Sequence, residues 1–76
     1  MIAHLTGNVT AVGATFVVLD VNGFGMRALC TPATCAAVRL GQQATLHTSM
    51  AVREDSMTLY GFAEADERDL FELVQS

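Results

Sequence analysis

A chain of 76 residues has room for one small domain, and 51% apolar content with only 16% charged residues excludes intrinsic disorder. The net charge is −4, the basic side chains are Arg27, Arg39, Arg53 and Arg68, and there is no lysine, which argues against a domain that grips phosphates through its own basic patch. The start has no basic n-region, and no apolar run reaches the roughly 20 residues of a membrane span, so a soluble, cytoplasmic protein without membrane association is expected.

The chain reads as short strands separated by turns, followed by a helix. Residues 2–12 are predicted to form a first strand, with Gly7 marking a bend or bulge inside it. After a turn at Gly13-Ala14, residues 15–21 are rich in β-branched and aromatic side chains and predict a second strand. Asn22-Gly23 follows at once. Both residues accept the positive φ of a type I′ turn, so they predict a hairpin into a third strand over residues 25–29. Gly25 within that strand would permit a close backbone approach.

Thr31 is a predicted helix cap, and Pro32 suits the first helical position because its missing N–H is not needed there. The short helical segment should reach about Val38, with Gly41 ending the connection. Apolar and polar residues alternate over 44–52, which predicts a fourth strand. The polar interruption Arg53-Glu54-Asp55-Ser56 separates it from a fifth over 57–62, with Met57, Leu59 and Gly61 on one face and Thr58, Tyr60 and Phe62 on the other.

Residues 65–74 predict an amphipathic helix. Leu70, Phe71, Leu73 and Val74 share a side as helix-core positions, with the alternative that they dock onto a further domain. Asp66, Glu67 and Asp69 lie in its first turns, where they complement the helix dipole. Arg68 and Glu72 are expected to pair on the exposed face.

Five strands with a helical insert between the third and fourth match an all-β, five-stranded Greek-key barrel of the OB-fold type, followed by a C-terminal helix. The order excludes a doubly wound α/β sheet. An SH3-like barrel accounts less well for the insert.

Few residues suggest chemistry. Cys30 and Cys35 lack redox C-x-x-C spacing, and with His4 and His47 they follow no zinc-site pattern. Free, buried thiols in a reducing compartment are expected, with no metal and no cofactor. Gly23 and Gly25 precede a strand rather than a helix, so they are read, with Asn22, as hairpin geometry and not as a phosphate loop. Tyr60 and Phe62 are read as packing residues rather than base-stacking platforms. His4 and His47 have no visible acid–base partner. Ser49, Ser56 and Ser76 lack a catalytic setting, and no catalytic residue is assigned.

The fourth and fifth strands carry a specific pattern. MAVREDSMTLYGF (residues 50–62) is similar to the V-R-E-D-x-x-x-L-Y-G-F signature of the RuvA family. The opening MIAHLTG (residues 1–7) resembles that family's M-I-x-x-L-x-G. NGFGM (residues 22–26) resembles its G-V-G-Y hairpin, with Phe24 for valine and Met26 for tyrosine. DERDLF (residues 66–71) resembles its E-R-x-L-F run.

The resemblance implies an OB-fold domain over residues 1–63 and, over 64–76, a helix leading to a helix-hairpin-helix domain that this chain does not contain. The chain is therefore read as a fragment. The resemblance further implies a homotetramer that can pair as an octamer, binds four-way junction DNA, and works with the RuvB ATPase and the RuvC resolvase. ATP hydrolysis would belong to RuvB. Glu54 and Asp55 would form an acidic pin at the junction centre. Arg53 beside them would contact DNA phosphate or pair with a neighbouring carboxylate. A generic single-strand-binding OB module and a purely structural oligomerisation domain are the alternatives.

Overall fold

The computed structural model describes residues 2–75. Met1, which opens the first resembling segment, and Ser76, which ends the expected helical segment, lie outside the described residues. Five strands close into a barrel: β1 (His4–Val12), β2 (Phe16–Val21), β3 (Phe24–Cys30), β4 (Gln43–Val52) and β5 (Met57–Phe62). Helix α1 (Pro32–Ala37) connects β3 to β4, and α2 (Ala65–Gln75) follows β5. The strand order is β1-β2-β3-β5-β4, closing on β1. All neighbours are antiparallel except β3 and β5, whose short parallel seam pairs Leu29 with Tyr60 and Cys30 with Gly61. This is the OB-fold the pattern predicts. The strand edges differ from the predicted ones by two residues or fewer.

Alternation along the strands builds the core. Val9, Val17, Leu19, Ala28, Leu46 and Leu59 point inward with Cys30 and Cys35, and all are buried. Fully burying one such Leu or Val stabilises a domain by about 1.5–3 kcal/mol. The buried hydroxyl of Thr48 donates to Ile2 O at 2.8 Å, so it enters the barrel with its hydrogen bond made.

Local chemistry sets the connections. Thr31 caps α1 by accepting from Thr34 N at 3.2 Å, with Pro32 in the first turn. Asn22 (φ 52°) and Gly23 (φ 91°) make the positive-φ turn between β2 and β3. Asp20 Oδ1 reinforces it by accepting from Gly23 N at 2.9 Å.

Two glycine expectations change. Gly7 is not the bulge: the β1–β2 register slips between Val9 and Ala11, leaving Thr10 as the extra residue. Gly7 instead lies so close to β2 that an added Cβ would collide with Asp20 O. Gly25 shows no such approach, since a Cβ there would meet only Val18 Cγ1, at 3.7 Å.

Helix α2 lies against β4 and β5 rather than forming part of the core. Phe71 packs its ring on Tyr60 and Phe62, with centroids 4.9 and 5.2 Å apart. Leu70 and Val74 are not core positions: they are 63% and 73% exposed, and Leu73 is also exposed. Arg68 is not on the solvent face either. Its guanidinium donates to Ala3 O at 2.7 Å and to Thr48 O at 3.5 Å, with Asp69 at 2.8 Å as its near ion-pair partner. The expected pairing with Glu72 is the longer contact, at 3.9 Å. Arg68 and Phe71 thus fasten the helix to the barrel. No helix among the described residues is long and apolar enough to cross a membrane.

Candidate functional site

The β4–β5 hairpin carries the acidic pair. Its two strands keep register from His47↔Phe62 out to Val52↔Met57. Arg53 N then donates to Ser56 O at 2.8 Å, closing a four-residue turn with Glu54 and Asp55 at its tip. All four turn residues are exposed, as are Val52 and Met57 at the base. A regular ladder therefore holds two adjacent carboxylates away from the barrel body.

Among the described residues neither carboxylate has an ion-pair partner. The ion pairs among the described residues are those of Arg68 with Asp69 and Glu72. Among the described residues Arg53 makes no ion pair with a neighbouring carboxylate, although it lies next to Glu54. The reason is local: the turn fixes the backbone, and three exposed side chains gain little from pairing in water.

The remaining arginines are engaged elsewhere. Arg27 stacks over the Phe16 ring at 4.7 Å. Arg39 donates to Ala36 O and Val38 O at 2.9 and 3.3 Å. Arg68 is committed to α2. The cations are dispersed, so no basic face forms. Tyr60 and Phe62, the aromatic pair that could have stacked bases, are covered by Phe71. Phe24 is 71% exposed but stands at the far end of the β2–β3 hairpin.

The thiols are free and buried, as expected. Burial pushes the Cys30 thiol up to about 11, with the nearby Cys35 thiol adding to the effect. It stays protonated at neutral pH and is a poor nucleophile. Asn22, Gly23 and Gly25 lie in the β2–β3 hairpin, on a different connection from Glu54 and Asp55.

Reasoning from sequence located the turn but missed three features that position it or its surroundings. Asp20 supports the β2–β3 turn, and an acid three residues before the glycine was the available signal. Arg68 anchors α2, which its i,i+4 relation to Glu72 disguised. His4 and His47 are direct cross-strand partners, and no local signal could reveal a pairing between β1 and β4.

A closed five-stranded OB barrel with two adjacent exposed carboxylates on one hairpin tip defines the class of this domain. Its family follows from comparison. The family model described as RuvA N terminal domain matches residues 1–61, which include the Arg53–Ser56 turn with Glu54 and Asp55. The chain belongs to the RuvA N-terminal domain family.

It is 59% identical over 76 residues to the Holliday junction branch migration complex subunit RuvA of Cutibacterium acnes and 59% identical to that of Beutenbergia cavernae. Against the protein of the same name from Nocardioides it is 55% identical. In each case the whole chain is covered, and it spans 38% of the relative's length.

Proposed function

We propose that this chain acts as the central, non-catalytic barrel of a Holliday-junction-binding assembly, with Glu54 and Asp55 shaping the DNA by repulsion. The observation that carries the reading is the exposed acidic tip, without an ion-pair partner among the described residues and presented on a regular hairpin. The relatives named as branch migration complex subunits supply the setting. In the proposed assembly four copies surround the crossover, and two such tetramers can face each other across the DNA. Affinity for the duplex arms resides in a further helix-hairpin-helix domain following the barrel. ATP-driven movement comes from RuvB, with RuvC acting on the same assembly in recombination and repair.

The physical argument concerns where charge is unwelcome. A carboxylate and a phosphate about 4 Å apart repel by about 1 kcal/mol in water and about 4 kcal/mol at an effective dielectric of 20. Carboxylates gathered at a junction centre would keep strands apart there and turn them outward into the arms. The turn gives them this effect without covalent chemistry. Arg53, which makes no ion pair among the described residues, is proposed to contact a phosphate beside the tip. A single-strand-binding role is disfavoured by dispersed arginines and covered aromatics.

The test is a chimera in which residues 1–76 replace the matching part of Cutibacterium acnes RuvA, to which they are 59% identical. Glu54→Gln combined with Asp55→Asn should alter RuvB-driven branch migration of a four-way junction while junction binding persists. An unchanged migration rate would remove the assigned role of the tip. Residues 1–76 alone should bind neither junction nor single-stranded DNA at moderate salt; tight single-strand binding would overturn the reading.

A further inference from the structure

The outer face of the β1–β4 pair juxtaposes two imidazoles that the proposed function does not use. His4 and His47 are direct register partners. The bond from Thr48 N to Ala3 O, 2.9 Å, brackets this pair instead of linking its two members, which makes it a non-hydrogen-bonded pair. Such pairs bring side chains closest, with Cβ atoms about 4.5–5.5 Å apart on the same face. The next pair on that face shows the closeness directly: Thr6 and Thr45, also partners, have their hydroxyls 2.7 Å apart.

We propose that His4 and His47 together form a two-imidazole binding site for a late first-row divalent cation of the Zn2+ or Ni2+ class. Imidazole nitrogen is the preferred ligand type for these ions. Two bonds of about 2.0–2.1 Å at a tetrahedral angle put the nitrogens roughly 3.3 Å apart, within reach of two rings that start from adjacent Cβ atoms.

The surroundings suit a cation that keeps part of its hydration. His4 is exposed and His47 half-buried, so the ligand face opens to water. Phe62, the partner of His47 on β5, walls its other side. Arg68 donates to carbonyls adjoining both histidines, those of Ala3 and Thr48, and is itself met by Asp69 and Glu72. Among the described residues no third His, Cys, Asp or Glu completes a cluster, so the site is bidentate and water fills the remaining positions. The two ligands lie on strands far apart in sequence, so the barrel itself creates the chelate.

Calorimetric titration of the 76-residue protein with ZnCl2 and NiCl2, in a non-chelating buffer, tests the site. Each metal should bind with one equivalent. His4→Gln should raise Kd at least tenfold, His47→Gln should do the same, and the double variant should add little, because one imidazole alone cannot chelate. The histidine ring resonances of both residues should shift together during titration. His4→Gln lies on the exposed surface and keeps the test decisive if His47→Gln misfolds. No binding by the unaltered protein, affinity unmoved by His4→Gln, or two independent weak equivalents would each overturn the proposal.

Discussion

The β2–β3 and β4–β5 hairpins both end in exposed polar turns, yet their residues answer to different demands. At the first, Asn22 and Gly23 take positive φ, and Asp20 holds the turn from one side. Residue type there serves backbone geometry. At the second, a backbone bond from Arg53 to Ser56 closes the turn, and among the described residues the tip side chains have no ion-pair partner. Residue type there is unconstrained by the fold. Two adjacent acids at a position where most residues would serve the fold equally well point outward, to whatever the tip meets.

Four variants sharpen or break this contrast. The largest effect is expected beneath the first hairpin, at Gly7→Ala, whose new methyl would meet the backbone oxygen of Asp20. Overpacking against backbone should cost about 3 kcal/mol in urea unfolding. Gly23→Ala has open space around it, so its cost is purely conformational, about 1–2 kcal/mol on the same assay. Asp20→Ala removes one exposed hydrogen bond and should cost about 1 kcal/mol. The Glu54→Gln, Asp55→Asn double variant should move stability by less than about 0.5 kcal/mol while altering junction processing in the chimera. A destabilisation of the acidic tip comparable to that of Gly23→Ala would erase the distinction between the hairpins.

Much of this architecture is written locally. The Asn22-Gly23 turn, the Thr31-Pro32 cap and the alternating strands are short-range patterns, and every element appears in its expected order. What the sequence conceals is long-range. Leu70 and Val74 repeat with helical spacing, but periodicity marks an apolar face without saying whether anything covers it. Arg68 has a plausible partner one turn away and instead crosses to the carbonyls of Ala3, just before β1, and Thr48 on β4. Gly7 matters because of β2, and the bulge falls at Thr10, where no glycine signals it. The candidate site divides the same way. Its turn is legible from four polar residues between two strands, whereas the role given to Glu54 and Asp55 comes from family resemblance and not from spacing. The His4–His47 pair is invisible until the barrel sets β1 beside β4.

The parallel seam between β3 and β5 has a kinetic consequence. It joins Leu29 to Tyr60 and Cys30 to Gly61, and it is the shortest ladder in the barrel. The neighbouring hairpins can form from nearby residues, but this seam gains nothing until the whole intervening segment has folded back and the entropy of closing that loop has been met. Circularisation through this seam and through the still longer-range β1–β4 ladder should therefore follow the hairpins in folding. In the native state, amide hydrogens along these residues should exchange sooner than those at the centre of the β1–β2 ladder.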